Sequence, residues 1–179
     1  KTKIINILNK NIQSIIDAKF SLAPLKDFAA IYIYMTSNEE MVKSHDPSFD
    51  GLSSGQYMGN FPRVVHINER NWVTPPICWR KKDESIESKK YKRRYREYVI
   101  LHEVIHTFGL EHPKFIKKDP TVKCPVIYPQ TKCWKLKRCK ANHRMDSYTK
   151  KQIKIMWDKE TRSLLLKFIK ESDLNQQLV

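Results

Sequence analysis

The sequence predicts a mixed α/β fold of the α+β kind, in which helices pack against a twisted mixed sheet. Segments with apolar residues at helical spacing occur before and after short runs rich in β-branched and aromatic residues. The chain has 179 residues, of which 40% are hydrophobic and 11% aromatic, so it can bury a substantial core. No glycine- or proline-rich linker divides the chain, and we expect residues 1–179 to form a single domain.

The first half of the chain predicts one helix and three strands. Residues 4–19 are expected to be helical because their apolar residues recur at helical spacing, namely Ile4, Ile5, Leu8, Ile12, Ile15 and Ile16. Residues 28–35 form an apolar and aromatic run that predicts a buried strand. Shorter strands are expected at 56–60 and 63–68.

The second half of the chain predicts a loop and two helices. Residues 71–88 contain two adjacent prolines and many charges, so we expect a loop there. A helix is predicted from about 88 to 108, and its last turns are apolar nearly all round, as in a core helix. A final helix should be capped by Ser147 or Thr149. Its apolar side would carry Ile153, Met156, Trp157, Leu164 and Phe168.

The most specific motif spans residues 102–112, with the sequence His-Glu-Val-Ile-His-Thr-Phe-Gly-Leu-Glu-His. His102 and His106 are four residues apart and share one face of a helix, so both can bind one metal ion. Gly109 can adopt the left-handed conformation that ends a helix. The resulting turn would bring His112 to the same ion. This spacing predicts a zinc site with three neutral imidazole ligands and one open position.

Glu103 occupies a different position in the same motif. It lies about 100° around the helix from His102, beside the ligand face rather than on it. Its carboxylate can therefore reach a metal-bound water without binding the metal. Zinc with three imidazole ligands lowers the pKa of bound water to about 7, which makes hydrolysis near neutral pH feasible.

The motif resembles the signature of the metzincin metallopeptidases. The resemblance implies that His102, His106 and His112 are zinc ligands and that Glu103 is the general base. It also implies a zinc-dependent endopeptidase that hydrolyses peptide bonds through a metal-activated water. The fold would then be a twisted mixed sheet with an N-terminal helix, an active-site helix and a C-terminal helix around a zinc cleft.

Weaker similarities extend on both sides of the motif. Residues 49–51, 57–62 and 66–72 resemble the stretch before the active-site helix in matrixin-type catalytic domains. By that resemblance Gln56 to Asn60 would be an edge strand that pairs with an extended substrate. Residues 125–129 resemble the Met-turn, a hydrophobic floor under the zinc, and Tyr128 would line the substrate pocket or belong to the core.

The chain also departs from the matrixin pattern. Ile127 stands where the Met-turn has its methionine, and Met145 is the rival for the floor, although charged neighbours favour Ile127. His45 and His66 fall near two ligand positions of the matrixin structural zinc, but Gly59 aligns with a third. With one ligand missing, we favour surface or strand histidines over a second closed zinc site.

The charge of the chain bears on its partners. The 34 basic residues outnumber the 19 acidic ones, giving a formal net charge of +15. Such a charge suggests nucleic acid, but most of the basic residues are lysine, whereas specific base and phosphate recognition relies on arginine. We therefore do not expect nucleic acid as a partner. The basic clusters at 89–96 and 132–140 are interpreted as solvated surface, with contact to an anionic surface or an acidic substrate as the alternative.

The four cysteines leave three interpretations open. They are Cys78, Cys124, Cys133 and Cys139. Two disulfides with three alternative pairings are favoured, ahead of free thiols and ahead of a second metal site that would include His143. Because the chain begins with Lys1 rather than methionine, we expect a trimmed or mature form. The compartment stays open, with a secreted protein slightly favoured.

The expected partner is a peptide or protein substrate, acted on by a monomer that holds Zn²⁺. No run of 18 apolar residues occurs, so no membrane span is expected. Two alternatives belong to other classes of protein. One is a non-catalytic zinc-containing binding module, and the other is a basic protein that binds anions or nucleic acid.

Overall fold

The computed structural model describes residues 2–17, 20–22, 31–45, 48, 50–56, 63–114 and 118–159. Within these residues the chain forms six helices and one three-stranded sheet, which confirms the mixed α/β class. The elements are α1 (Thr2–Asn11), α2 (Gln13–Ile16), β1 (Ile31–Thr36), α3 (Asn38–Ser44), β2 (Ser54–Gln56), β3 (Arg63–Asn68), α4 (Glu69–Val73), α5 (Lys89–His106) and α6 (147–159). Short 3₁₀ turns occur at Ile77–Trp79 and Cys133–Lys137.

The sheet has the order β1-β3-β2 and is mixed. β3 pairs in parallel with β1 and antiparallel with β2, so that Ser54 lies opposite His66. Val65 and Ile67 on β3 are buried in the main core, and the alternation of a strand turns His66 to the other face. The strand predicted at 63–68 is confirmed.

The other two strands are shifted from their predicted bounds. β1 ends one residue later than expected, at Thr36, and residues 28–30 lie outside the described part of the chain. β2 begins at Ser54, two residues before the predicted start, while residues 57–60 of that prediction also lie outside it.

Helix α5 is the centre of the core, as its apolar last turns predict. Ten of its 18 residues are buried, from Tyr91 to Ile105. The side chain of Ser88 caps its start by accepting a hydrogen bond from the Tyr91 amide. Trp79 packs against Tyr95 and Tyr98 with ring centroids 5.7 and 4.8 Å away, which fixes the N-terminal half of the helix against the preceding loop.

Two predicted elements differ in detail. The helix expected over 4–19 is divided at Ile12 into α1 and α2, and Asp17 then adopts a left-handed conformation with φ 51°. Within the predicted loop 71–88, residues 71–73 belong to α4, whose start is capped by the side chain of Asn68. The Trp79 indole donates a hydrogen bond to the Gln130 carbonyl, which ties this loop to the second half of the chain.

The cysteines form two disulfides, Cys78–Cys133 and Cys124–Cys139. All four thiols are used, so the free-thiol interpretation and the second metal site are wrong. His143 instead lies 3.7 Å from the Glu97 carboxylate. In a chain-entropy view, links across 55 and 15 residues stabilise the fold by about 4 and 3 kcal/mol respectively.

Helix α6 packs on the core through Ile153, which is fully buried. Its cap was predicted at Ser147 or Thr149, but the carboxylate of Asp146 accepts from the Thr149 amide at 2.8 Å. Asp146 competes better because a carboxylate accepts several hydrogen bonds at once. Leu164 and Phe168 lie outside the described residues. No helix in the described part of the chain could cross a membrane.

Candidate metal centre

The end of α5 brings the three predicted histidines together. His102 and His106 lie one turn apart, and Gly109 has φ 81°, a conformation that glycine adopts without strain. The turn returns the chain so that His112 meets the other two. The Nε2 atoms of this histidine triad are 3.0 Å apart for His102 and His112, 3.1 Å for His106 and His112, and 3.3 Å for His102 and His106.

The tautomers of two triad members are fixed by backbone carbonyls. Nδ1 of His102 donates to the Val126 carbonyl at 2.8 Å, and Nδ1 of His106 donates to the Leu110 carbonyl at 2.6 Å. In the neutral ring each Nε2 therefore carries a lone pair. Two lone pairs 3.3 Å apart repel each other unless a proton or a cation lies between them.

Burial keeps these rings neutral. It is the largest cause that lowers the pKa of all three, well below the usual value for His102 and to about 4 for His112. A bound cation would therefore satisfy the three converging lone pairs. In a tetrahedral site with zinc–nitrogen bonds of 2.0–2.1 Å, two ligand nitrogens are about 3.3 Å apart, which is close to the Nε2 separations of the triad. Among the described residues, the triad is the one group of three or more potential ligands close enough to hold a metal ion.

Glu103 is buried beside the triad, and strand β2 crosses the helix at this residue. A Cβ added to Gly55 would overlap the backbone carbonyl of Glu103, so only glycine permits this close approach. Burial raises the pKa of the Glu103 carboxyl to about 8, and a hydrogen bond from the backbone of Gly55 opposes that rise. Among the described residues β2 pairs with β3 alone, so it is the edge strand of the described sheet.

The loop after the motif holds His102 in place. The Val126 carbonyl accepts a hydrogen bond from His102, and the Val126 N–H donates one to the Asp146 carboxylate at 2.8 Å. Tyr98 accepts from the Gln130 amide at 2.7 Å and fixes the far end of the loop. Sequence reasoning missed Asp146 because nothing in its local pattern reveals a partner 20 residues away.

The same loop supports Ile127 as the apolar residue of the predicted floor. Ile127 is 1% exposed in the main core, whereas Met145 is only partly buried at its edge. Tyr128 is buried in a small cluster with the Cys124–Cys139 disulfide. A core role therefore accounts for Tyr128 without a substrate contact.

One lysine of the basic cluster at 132–140 has an electrostatic effect on the triad. The charge of Lys135 contributes to the lowered pKa of both His102 and His112. This effect depends on how the loop folds rather than on local sequence. A signal was nevertheless present, because Lys135 lies between two cysteines, in a segment that disulfides would fix.

Comparisons with protein families, with curated proteins and with solved structures find no match to this chain. The site must therefore be interpreted from its own residues and geometry.

Proposed function

We propose that this chain is a zinc-dependent endopeptidase of the metzincin kind, with His102, His106 and His112 as zinc ligands. The observation that carries the proposal is the convergence of three Nε2 atoms, two of which have tautomers fixed by backbone carbonyls. Imidazole ligands suit zinc as well as several other transition metals. The choice of zinc, and of peptides as substrate, rests on the resemblance of the motif at residues 102–112.

The donor set fits a catalytic rather than a structural metal. Structural zinc sites have four protein ligands, whereas catalytic ones have three and keep one position open. When bound, the zinc would supply a Lewis acid that makes a water molecule acidic enough to lose a proton near neutral pH. A bound cation beside Glu103 would favour its ionised form, which would accept that proton and later deliver it to the leaving amine.

Strand β2 would bind the substrate in an extended conformation. It lies at the edge of the described sheet and packs directly on α5 at Glu103. A peptide that adds to its outer edge would gain backbone hydrogen bonds and pass beside the general base.

Two disulfides around the loop that holds His102 favour an oxidising compartment.

The deciding experiment measures zinc content and peptide cleavage on the same preparations. The parent should hold about one zinc per chain and cleave quenched peptides, and a chelator should abolish cleavage until zinc is restored. Glu103→Gln should keep its zinc but lose at least ~10²-fold in kcat, the scale of general acid–base catalysis. Glu111→Gln is the matched control, since this exposed carboxylate follows the same helix, and it should retain most of the activity.

The result also separates the other classes of function. A non-catalytic zinc module would hold the metal and cleave nothing. A basic anion-binding protein would bind its ligand with a steep salt dependence that His102→Ala leaves unchanged. Cleavage by Glu103→Gln at the parent rate would exclude Glu103 as the base.

A further inference from the structure

Two basic residues at the start of α5 already have acidic partners. Lys92 pairs with Glu87 at 2.8 Å, and Arg94 pairs with Glu84. The second pair is largely buried and joins α5 to the loop before it. Part of the basic cluster on this helix is therefore explained by local packing, whereas a group of basic residues after the metal-binding motif has different surroundings.

A short backbone ribbon carries these later basic residues. The Asp119 amide donates a hydrogen bond to the Arg138 carbonyl at 2.8 Å. Lys140 uses both of its backbone groups. Its N–H donates to the Val122 carbonyl at 2.7 Å, and its carbonyl accepts from the Cys124 amide at 2.8 Å. The ribbon thus joins two segments of the chain and fixes the backbone under its basic residues.

Lys123 and Lys140 lie side by side on the ribbon. They are paired in a parallel bridge, so their side chains leave the same face. The adjacent Cys124 and Cys139 are buried and form a disulfide. Because side chains alternate along an extended segment, the inward cysteines leave both lysines facing outwards, where they are exposed. Two ammonium groups held opposite each other repel.

A turn brings Arg144 next to the lysine pair. Nδ2 of Asn142 donates to the Cys124 carbonyl at 2.9 Å and to the Arg144 carbonyl at 2.8 Å. Both carbonyls are therefore within reach of one nitrogen atom, which places Arg144 beside the residue that follows Lys123. Burial lowers the pKa of His143 to about 4, and the charges of Arg144 and Lys123 are among those that lower it further, as expected for two neighbouring cations.

These residues form a patch of exposed positive charge. We define the basic patch as Lys123, Arg138, Lys140 and Arg144, all of which are exposed. Among the residues that the structure describes, none of the four forms an ion pair with a carboxylate. Their charges are therefore available to a partner, unlike those of the paired residues on α5.

Asp119 is an acidic residue on the same ribbon. Hydrogen bonds from Thr121 lower the pKa of the Asp119 carboxyl, and the charge of Lys140 adds to them. The carboxylate accepts from the amide and the hydroxyl of Thr121 at 2.8 and 2.6 Å. One carboxylate does not balance four cations, so the patch keeps an excess of positive charge. A partner with closely spaced negative charges would relieve the repulsion within the patch and release counterions.

We propose that the basic patch binds a sulfated polysaccharide. Repeated sulfate groups can reach several cations of the patch at once, which the single carboxylate of a peptide side chain cannot do. The two disulfides favour an oxidising compartment, where neither cytosolic nucleic acid nor the anionic lipids of the cytoplasmic leaflet are within reach. The inference concerns a surface outside the metal centre and does not depend on peptide cleavage.

The test compares two triple variants of the full chain. The patch variant is Lys123→Gln/Lys140→Gln/Arg144→Gln. The control variant is Lys3→Gln/Lys10→Gln/Lys43→Gln, which changes exposed lysines on α1 and α3. Each variant loses three positive charges, so the two differ in where charge is removed and not in net charge. Urea unfolding checks that both are folded.

The probe is immobilised dextran sulfate, and Kd is measured at several salt concentrations. At about 0.15 M salt the patch variant should bind about 100-fold more weakly than the parent, and the control variant less than about threefold more weakly. The slope of log Kd against log salt concentration should fall by about two to three in the patch variant, because about one counterion is released per contacted anion.

Smaller changes support the same measurement. Each single variant of the patch should lose about fivefold in affinity, which keeps the test valid if the triple variant does not fold. Lys123→Arg/Lys140→Arg keeps both charges and should bind dextran sulfate about as tightly as the parent.

Three results would overturn the inference. Equal losses in the patch and control variants would mean that net charge alone attracts the polysaccharide. A parent that does not bind dextran sulfate at about 0.15 M salt would exclude this partner. Single-stranded DNA with the same number of charges and vesicles that contain phosphatidylserine are the comparison probes. If either binds the parent at least as tightly as dextran sulfate, and the patch variant loses that binding, the patch serves that partner and not a polysaccharide.

Discussion

The histidine triad differs from a second histidine pair, His45 and His66, in what the ring nitrogens contact. In the triad, backbone carbonyls bind Nδ1 of His102 and of His106, and the Nε2 atoms converge within 3.3 Å. In the second pair, the contacts are hydroxyl groups. Nδ1 of His66 meets the Thr36 hydroxyl at 3.0 Å, and the two nitrogens of His45 meet the hydroxyls of Ser44 and Ser54.

The difference explains why histidines near each other need not form a metal site. A carbonyl only accepts, so it fixes the proton on one nitrogen and leaves the other as a ligand. A hydroxyl both donates and accepts, so it satisfies an imidazole in either tautomer without a cation. The interpretation of His45 and His66 as strand or surface histidines rests on these hydroxyl contacts.

Removing one histidine from each group tests the difference between them most directly. His106→Ala should lose both its zinc and its peptide cleavage completely, because two remaining ligands do not hold zinc tightly. His66→Ala should retain about one zinc per chain. Elemental analysis of the two dialysed variants gives the answer. Full zinc in His106→Ala, or a loss of zinc in His66→Ala, would reverse the assignment of the two groups.

Strand β2 supplies a second pair of variants, because one of two adjacent residues on it contacts the second histidine pair and the other packs beside the triad. The hydroxyl of Ser54 contacts His45, whereas Gly55 packs against the Glu103 backbone. Gly55→Ala must displace the strand or the helix, and a shift near 1 Å beside the base should lower kcat/KM by about 100-fold. Ser54→Ala removes one hydrogen bond and should cost about 1 kcal/mol of stability with little change in activity.

Kinetics and urea unfolding of both β2 variants test this contrast. Equal losses of activity in Gly55→Ala and Ser54→Ala would mean that the strand acts as one unit. The close approach at Gly55 would then have no special role in placing Glu103.

The helix N-caps provide a third and smaller contrast. Asp146 caps α6 and also accepts a hydrogen bond from the Val126 N–H. The carbonyl of the same residue, Val126, orients His102. Ser37 caps α3, near the second histidine pair, by accepting from the Glu40 amide at 3.1 Å. Loss of either cap by substitution with alanine should cost about 1 kcal/mol of stability. Only Asp146→Ala should also weaken zinc binding, by about tenfold, as expected for a partner that orients a ligand.

Zinc competition with a chelator of known affinity measures this difference. If Ser37→Ala weakens zinc binding as much as Asp146→Ala does, the loss reflects general destabilisation. The Asp146–Val126–His102 chain would then not be the cause.

These contrasts also show which parts of the site local sequence predicts. The face shared by His102 and His106 follows from helical periodicity, and the turn at Gly109 follows from the freedom of glycine, so both were predictable. Three other features depend on contacts between distant segments. They are the disulfide between Cys78 and Cys133, the hydrogen bond from the Val126 N–H to Asp146, and the effect of the Lys135 charge on His112. Periodicity and propensity carry no information on such contacts, which is why these features emerge only from the folded chain.

The smallest expected effect concerns the pH dependence of stability at the second pair. Burial is the main cause that lowers the pKa of His66, the positive charge of His45 adds to it, and Glu40 opposes it. An unfolded histidine has a pKa near 6.5. Below that pH the unfolded chain therefore takes up a proton that the folded chain does not, and stability falls until the pH passes the folded pKa of His66.

His66→Gln removes this titration while its amide can still bond the Thr36 hydroxyl. The free energy of unfolding should therefore fall less steeply between pH 7 and pH 5 in the variant than in the parent. One proton limits the difference in slope to about 1.4 kcal/mol per pH unit, and the partial exposure of the ring reduces it further. Urea unfolding of both proteins with excess zinc, at several pH values, measures the two slopes. Parallel slopes would mean that the folded chain protonates His66 as readily as the unfolded chain does. The hydroxyl contacts would then tolerate the charged ring, and the contrast with the triad would rest on the convergence of the Nε2 atoms alone.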